Sequence, residues 1–224
     1  MEKVSVTAIS DLHGFLPDYS NYKSDIFCIC GDVSPLKIQN NVPQMKNWLY
    51  KTFIPWTESL PCDKVFLIAG NHDLFAERLV NLKEFFLGTK VWYSEDDTYE
   101  YNDKLIHGTP WCKIFGNWSF MLTSDELEKK YAEIPENVDL LLTHDVPYGQ
   151  NDVILEKVWW NTGEHIGNVS LLEALQEKKP KNLCCGHLHS TDHTPTKFGD
   201  MMQYNCSIVD ERYKIAYEPQ TFII

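Results

Sequence analysis

The sequence predicts an α/β protein, because short apolar segments typical of buried strands alternate with longer segments of helical periodicity. Five of the apolar segments are followed directly by a polar cluster. The central one, residues 65–69, leads into the Gly-Asn-His-Asp sequence of residues 70–73. Because open α/β folds bind ligands at the carboxyl ends of their strands, we expect the five clusters to converge on one face. Such a layout is typical of a metal site.

The other four clusters are rich in aspartate and histidine. They follow predicted strands at residues 4–10, Ile26–Cys30, 138–143 and Asn182–Cys185, and they contain Asp11 and His13, Asp32, His144, and His187 and His189, respectively. Side chains two residues apart on an extended segment point to the same side and can reach one ion. A single Asp-x-His pair is usually part of a turn, so the prediction rests on the repetition.

Apolar positions at helical spacing predict four helices between these strands. The helices cover residues 41–60, broken at Pro55, residues 74–87, residues 124–134, capped by Ser124, and residues 169–179. Leu79 is one apolar position of the second helix. Shorter strands are predicted at Val91–Tyr93, 98–101 and 105–107 and in the tail from 200 to 224. Residues 147–168, which include Trp159 and Trp160, lack a regular pattern, and we expect a rim loop or lid.

The composition predicts a globular protein of one domain. With 224 residues and 26.1 kDa, the chain can bury one core, and we assign residues 1–224 to a single domain. No stretch approaches ~20 consecutive apolar residues, so we expect no membrane span. The first residues contain no signal-peptide core, and the seven cysteines form an odd number. We therefore expect a cytoplasmic protein with reduced thiols.

The formal net charge of −12 disfavours a long polyanionic partner such as nucleic acid. Divalent metal ions would supply positive charge locally, so an acidic protein can still bind a small phosphate ester. The expected partner is therefore a small phosphate-ester substrate. The sequence leaves the oligomeric state open.

Seven strand-end side chains are candidate metal ligands: Asp11, His13, Asp32, Asn71, His144, His187 and His189. Two ions need about this many protein ligands if one carboxylate bridges them and waters complete the coordination. Imidazole suits Mn, Fe, Zn, Ni or Co, whereas carboxylate and amide oxygens suit harder ions such as Mg. The mixture therefore predicts two divalent ions, with Mn²⁺ favoured.

In chain order, Asp-x-His, Gly-Asp, Gly-Asn-His-Asp, His and Gly-His-x-His resemble the motifs of the calcineurin-like metallophosphoesterase superfamily. The motifs span residues 11–189. The resemblance implies an α/β (α+β) fold built as a four-layer αββα sandwich, with two mixed sheets flanked by helices. It also implies that Asp11, His13, Asp32 and His189 hold one ion, and that Asp32, Asn71, His144 and His187 hold the other, with Asp32 bridging.

The resemblance implies a metal-dependent phosphoesterase. A hydroxide that bridges two ions would attack the phosphorus atom, while His72, beside the phosphate, would protonate or stabilise the leaving oxygen. Two ions ~3.5–4 Å apart lower the pKa of a shared water and offset charge on the phosphoryl oxygens. The alternative for His72 is a hydrogen bond to a neighbour without a role in the reaction.

Three further segments resemble the class III cyclic nucleotide phosphodiesterase-like branch, which includes metallophosphoesterase-domain proteins expressed in brain. They are His-Gly-Thr-Pro-Trp at 107–111, residues 143–149 with Asp152, and Asn-Cys-Ser at 205–207. This resemblance implies a phosphodiester substrate such as a small or cyclic nucleotide. The chain departs from the branch at Asp145 and Val146, where small or proline residues are usual. The Asp145 carboxylate would either repel a dianionic monoester or hydrogen-bond to a metal ligand. His107 is interpreted as a structural hydrogen-bonding residue.

Several other functions are weighed against a phosphodiesterase. A phosphomonoesterase of the same fold remains an alternative. A protein Ser/Thr phosphatase is disfavoured, because that family has Gly-Asp-x-x-Asp-Arg-Gly, whereas Gly31-Asp32 continues here as Val-Ser-Pro-Leu, with Pro35 and Leu36 in place of Asp-Arg. A DNA nuclease that shares Gly-Asn-His-Asp is disfavoured by the net charge. In a different class, the chain could be a metal-stabilised binding scaffold without catalysis.

Overall fold

A computed structural model describes residues 2–78, 82–155 and 163–224. Within these residues the chain forms thirteen strands. They are β1 (Ser5–Ile9), β2 (Ile26–Cys30), β3 (Lys64–Ile68), β4 (Val91–Tyr93), β5 (Asp97–Tyr101), β6 (Lys104–Thr109), β7 (Cys112–Lys113), β8 (Met121–Leu122), β9 (Leu140–Thr143), β10 (Asn182–Cys185), β11 (Thr196–Phe198), β12 (Met201–Asn205) and β13 (Gln220–Ile223).

Eleven of these strands form two mixed sheets. The first sheet has the order β13-β1-β2-β3-β4, with β1 to β4 parallel and β13 antiparallel to β1. The second has the order β11-β12-β10-β9-β6-β5, with β12, β10, β9 and β6 parallel and an antiparallel strand at each edge. The parallel central strands therefore present several carboxyl ends on one side of each sheet.

The inner faces of the two sheets pack against each other. Val6, Cys28 and Phe66 of the first sheet belong to one buried cluster with Leu142 and Cys184 of the second. Small thiol side chains in this layer allow close packing of the sheets. All seven cysteines are free, as expected for reduced thiols.

Helices cover the outer faces of both sheets. They are α1 (Val42–Trp48), α2 (Ile54–Ser59), α3 (Leu74–Arg78), α4 (Leu82–Phe85), α5 (Ser124–Ala132) and α6 (Val169–Lys178), with a π-helical turn at Leu49–Phe53 between the first two. Met45 and Phe53 pack against the first sheet, and Leu127, Leu171 and Leu175 pack against the second. The result is a four-layer αββα arrangement, which confirms the fold class predicted from the sequence.

Several element boundaries differ from the prediction. The helix predicted at 41–60 does not break at Pro55. Instead, Pro55 lies in the first turn of α2, directly after the π-helical turn, and the residues before it keep helical backbone angles. The predicted cap Ser124 is wrong: Thr123 caps α5 in a capping box with Glu126. Leu79 lies outside the described residues.

Residues 147–168 are predicted to form an irregular rim loop. Their described part is held by specific backbone bridges and hydrogen bonds. Pro147 and Asn168 form an isolated bridge, and so do Val153 and His165. Asp152 holds the segment together, because its carboxylate accepts hydrogen bonds from Gly149 N (2.9 Å) and from Gly167 N (2.9 Å). Trp159 and Trp160 lie outside the described residues.

Within the described residues, no helix has both the length and the apolar character needed to cross a bilayer. The assignment of residues 1–224 to a single domain stays a prediction.

Candidate metal centre

The site forms where the carboxyl ends of strands from both sheets meet. The Cys30 carbonyl of β2 lies 2.7 Å from His144 Nδ1, directly after β9. The His187 backbone N–H, after β10, donates to the Asp11 carboxylate, after β1, at 3.0 Å. These two contacts bring the clusters predicted from separate strands into one place.

The backbone turns sharply at four of the candidate residues. Asp11, His13, Asp32 and His187 have φ values of 57°, 43°, 54° and 66°, in the left-handed region that few non-glycine residues adopt. Each turn ends the extended run of a strand or follows it closely. The strands therefore stop where their polar side chains are turned toward the shared edge.

Asp11, His13 and His189 form one group of potential ligands. One ligand atom from each lies within 4.8 Å of the others, and His189 Nε2 is 3.4 Å from Asp11 Oδ1. All three side chains are buried. Burial strips these groups of water, so they need charge or hydrogen bonds within the protein.

Asp32, His144 and Asn71 form a second group, in which ligand atoms of Asp32 and His144 also lie within 4.8 Å of one from Asp11. His144 Nε2 is 3.4 Å from Asp32 Oδ2 and 3.0 Å from Asn71 Oδ1. Asp32 Oδ2 also lies 3.8 Å from His13 Nε2 of the first group. The Asp32 carboxylate thus lies between the two groups.

His187 completes the set. Its ring centroid is 5.2 Å from that of His144, and its backbone N–H holds Asp11 in place. The structure thus brings together all seven side chains that the sequence singles out as ligands.

Both ring nitrogens of His13 are buried without a hydrogen-bond partner in the described part of the chain. Buried polar atoms are almost always paired, so such an imidazole needs an additional partner. A divalent cation fits this position, since neutral imidazole is a common metal ligand and Asp11 and Asp32 offer oxygen atoms beside it. The nitrogen atoms of His13 and the oxygen atoms of the two carboxylates therefore form a donor set that fits a divalent cation.

The electrostatics of the centre favour bound positive charge. Burial lowers the pKa of His13 to about 4, and burial together with His144 lowers the pKa of His187 to about 4. These two imidazoles are therefore neutral and have a lone pair available. Burial also lowers the pKa of His144, but Asp32 outweighs it and raises that pKa to about 10. The buried carboxylates thus favour a positive charge beside them, which divalent cations provide.

His72 lies beside this cluster and is held from two sides. Its backbone N–H donates to Asp32 Oδ1 at 2.7 Å, and its ring centroid is 5.0 Å from that of His13. On the far side of the ring, Nδ1 is 2.9 Å from Gln39 Oε1. Gln39 is buried and precedes α1. When Gln39 accepts from Nδ1, the other ring nitrogen, Nε2, is left for a substrate.

Sequence reasoning missed Gln39. It belongs to no recognisable motif, and it lies 33 residues from His72 along the chain. Only the packing of the loop before α1 against the turn after β3 brings the two together. No signal in a single sequence identifies such a contact.

Asp73, the last residue of the central motif, holds the turn rather than joining the ligand set. Its carboxylate accepts hydrogen bonds from Gly70 N (2.9 Å) and from the backbone and hydroxyl of Ser34 (2.9 and 2.7 Å). Burial and the nearby Asp32 raise the pKa of Asp73 to about 6. These hydrogen bonds fix the turn after β3 against the turn after β2.

The Asp145 carboxylate also has a structural role. Its Oδ2 accepts hydrogen bonds from Lys113 N and Asn168 Nδ2, both at 2.9 Å, and its Oδ1 accepts from Val146 N. Asn168 in turn caps α6, accepting a hydrogen bond from Leu171 N. The carboxylate thus ties β7 to the start of α6 and is occupied by these partners.

Two residues from other segments identified in the sequence, His107 and Asn205, have structural roles. His107 lies on β6, where Nδ1 is 2.9 Å from Thr98 Oγ1, in agreement with its interpretation as a structural residue. Asn205, from the Asn-Cys-Ser segment, donates to the Leu188 carbonyl at 2.9 Å and to Thr191 Oγ1. It thereby supports the turn that carries His187 and His189.

Gly70 packs so closely against Asp32 that it leaves no room for a side chain. A Cβ atom there would overlap Asp32 Oδ1 and lie 2.6 Å from the Asp32 backbone nitrogen. We expect Gly70→Ala to lower the free energy of unfolding by about 1–3 kcal/mol and to reduce the bound metal. Thermal unfolding and elemental analysis of the purified protein measure both effects.

Gly199→Ala is the matched control. Gly199 has φ of 59°, so alanine there is strained, but a Cβ atom would meet nothing within 4 Å. This variant is expected to lose stability and keep its metal. A Gly70→Ala protein with unchanged stability and metal content would contradict the close packing at Asp32.

Comparison with known proteins assigns the family. The family of calcineurin-like phosphoesterases matches residues 4–191. UPF0046 protein T07D4.2 of Caenorhabditis elegans is 34% identical over 252 residues, covering 100% of this chain and 60% of the relative. Metallophosphoesterase domain-containing protein 1 of Homo sapiens is 28% identical over 206 residues, covering 81% and 59%. The chain thus spans about three fifths of the length of these two curated relatives.

Solved structures share the fold. The phosphopantetheinyl hydrolase PptH of Mycobacterium tuberculosis superposes with a TM-score of 0.55 at 14% identity, covering 93% of this chain and 90% of that one. The two packed sheets and the family match agree on one class of protein, the phosphoester hydrolases. The chain belongs to the calcineurin-like phosphoesterase family.

Proposed function

We propose that the protein is a phosphodiesterase with two divalent metal ions, acting on a small phosphate diester such as a small or cyclic nucleotide. The observation that carries this proposal is the position of Asp32. Its carboxylate lies 3.8 Å from His13 Nε2 and 3.4 Å from His144 Nε2, between two groups of buried ligands. One carboxylate shared by two groups is what a dinuclear centre requires.

In this proposal each ion has four protein ligands. Asp11, His13, Asp32 and His189 hold one, and Asp32, Asn71, His144 and His187 hold the other. Mn²⁺ is the ion we propose, because a site of mixed imidazole and carboxylate donors accepts it, while Fe, Zn, Ni, Co and Mg remain alternatives. When bound, the ions supply a Lewis-acidic centre that acidifies water and offsets the charge of the phosphoryl oxygens.

The chain's own contribution to the reaction is proton transfer at His72. Gln39 Oε1 lies 2.9 Å from His72 Nδ1, and the backbone of His72 is fixed to Asp32. The ring therefore has a set orientation, with Nε2 available to a leaving oxygen. Because Nδ1 keeps its proton for Gln39, a proton at Nε2 makes the ring an imidazolium, which would transfer that proton to the leaving alkoxide and become neutral; this is general acid catalysis.

The charge around the centre supports a diester over a monoester. A monoester is a dianion near neutral pH, whereas a diester carries one negative charge. The chain has a net charge of −12, and its two arginines are Arg78, on α3, and Arg212. Lys113, on β7, donates to the carbonyls of Ile166 and Gly167. The acidic net charge and the engagement of Lys113 in these hydrogen bonds thus favour the substrate with the smaller negative charge.

The experiment that tests the function compares bis-p-nitrophenyl phosphate with p-nitrophenyl phosphate. The protein is stripped of metal, and Mn²⁺ is added back. We expect metal-dependent hydrolysis that favours the diester. Preference for the monoester would make the protein a phosphomonoesterase. Two bound ions without turnover of either ester would favour a non-catalytic scaffold.

We also propose a reducing, cytoplasmic location. The support is chemical: all seven cysteines are free, and six of them are buried. Free buried thiols are typical of proteins that stay in a reducing compartment.

Gln39 allows the orientation of His72 to be tested. Gln39→Leu keeps the size of the side chain but removes the acceptor for His72 Nδ1. We expect kcat to fall about tenfold, the cost of one hydrogen bond that orients the acid, with KM and metal content nearly unchanged. Steady-state kinetics and metal analysis measure these quantities.

The control for this variant is Gln39→Asn, which keeps an amide but shortens its reach. A smaller fall in kcat in Gln39→Asn than in Gln39→Leu would fit an orienting role. A normal kcat in Gln39→Leu would remove Gln39 from the mechanism.

A further inference from the structure

The loop between β7 and β8 extends over the metal centre. Its base is closed by a hydrogen bond from Cys112 N to the Phe120 carbonyl, at 2.7 Å. Ser119 N donates to the Asn71 carbonyl at 3.1 Å, and Phe120 N donates to Glu77 Oε1 at 2.6 Å. Since Asn71 is a candidate ligand, the loop is fixed relative to the centre itself.

This loop places one aromatic ring on each side of the centre. The Trp118 ring lies 4.4 Å from that of His72, tilted by 40°, and the Phe115 ring lies 5.1 Å from that of His187, tilted by 43°. His72 borders the centre beside His13, and His187 borders it beside His144. The two aromatic rings thus frame the space in front of the ligands.

Both rings remain open to solvent. Phe115 is 52% exposed and Trp118 is 38% exposed, and Ile114 beside them is 55% exposed. The base of the same loop behaves differently, since Phe120 is 1% exposed and packs into the core. A fixed loop that holds large apolar side chains out of the core at a ligand site leaves apolar surface for a ligand.

We propose that Phe115 and Trp118 determine substrate specificity, by binding the flat, unsaturated organic group of a phosphate ester. This inference rests on the proposed phosphodiesterase function and names the class of ester for that site. The phosphate would lie at the ligands, and its planar substituent would stack on an exposed ring. Trp118 adjoins His72, the proposed acid, and so faces the leaving-group side.

Stacking selects for planar groups over saturated ones. An aromatic ring offers its π face to another flat ring in an offset or tilted arrangement, which a puckered saturated ring matches poorly. Stacking of a planar group on one aromatic side chain changes affinity by about 5- to 150-fold. The effect is therefore large enough to measure for each side chain separately.

The test uses three phosphonates that the enzyme cannot hydrolyse: methylphosphonate, cyclohexylphosphonate and phenylphosphonate. Their dissociation constants for the Mn²⁺-loaded protein are measured by calorimetry. The three share the phosphonate group and differ in the size and planarity of the substituent. We expect phenylphosphonate to bind at least tenfold more tightly than methylphosphonate and more tightly than cyclohexylphosphonate.

The variants Phe115→Leu and Trp118→Leu keep apolar bulk but remove the flat ring. Each is expected to reduce the phenyl-to-methyl ratio several-fold, while the affinity for methylphosphonate stays within about twofold. Leu87→Ala is the control, because Leu87 is 76% exposed and follows α4, before the amino end of β4. It should leave all three dissociation constants unchanged.

Equal affinity for the phenyl and methyl compounds in the unchanged protein would overturn the inference. So would a cyclohexyl compound that binds as tightly as the phenyl one, or a ratio that survives in both leucine variants. The proposed function is tested apart from this, by turnover of bis-p-nitrophenyl phosphate. Absence of turnover would reject that function whatever the binding ratio, so the two failures are distinguishable.

Discussion

Replacing His72 by alanine is expected to lower the turnover of a phosphodiester by about 10²- to 10⁴-fold, the usual contribution of a positioned general acid. The His72 side chain contacts the centre from outside the two ligand groups, beside His13 and Gln39. Its loss should therefore leave two ions bound per chain. The measurements are kcat with bis-p-nitrophenyl phosphate and metal content by elemental analysis.

A second histidine variant separates this effect from general damage. His107 is as buried as the ligands, but it lies on β6 and contacts Thr98. His107→Gln is expected to keep its turnover within a few-fold. Loss of metal in His72→Ala would show that His72 is a ligand, which contradicts its proposed role as the acid.

Replacing Asp32 by asparagine is expected to remove or disorder both ions and to abolish metal-dependent turnover. Asparagine keeps the size of the side chain and an oxygen that can accept from His72 N, but it loses the negative charge shared by the two groups. His144, whose proximity to Asp32 raises its pKa to about 10, would lose its counter-charge as well. Metal content under saturating Mn²⁺ is the direct measurement.

Asp145→Asn provides the matched comparison. Asp145 is equally buried and follows His144 in sequence, yet its carboxylate accepts from Lys113 N, Val146 N and Asn168. This variant should keep two ions. Full metal occupancy in Asp32→Asn would exclude a bridging carboxylate.

The candidate ligands could be predicted from sequence because each follows its own strand directly. The rule that parallel strands end at a shared edge brings Asp11 and Asp32 of the first sheet together, whereas His144, after a strand of the second sheet, joins them only through the packing of the two sheets. The strands themselves were predictable because their burial is nearly complete: all five residues of β2 are buried. At these strand ends, the local sequence pattern and the position of the residue in the fold indicate the same structure.

Residues that reach the centre from other elements could not be predicted. Gln39 precedes a helix and Phe115 and Trp118 lie in a loop, so their proximity depends on how those segments pack. The prediction that Ser124 caps α5 was wrong for a local reason. Both Thr123 and Ser124 can cap a helix, and only the three-residue spacing to Glu126 decides between them.

The left-handed turns at Asp11, His13, Asp32 and His187 have a consequence for local opening of the protein. Each such conformation costs about 1 kcal/mol or more in a non-glycine residue, so this edge opposes folding by several kcal/mol. Ions that bind only the closed arrangement would offset that cost by mass action. In metal-free protein, backbone amides of these four turns should exchange with deuterium sooner than those of the adjoining strands, and Mn²⁺ should slow them.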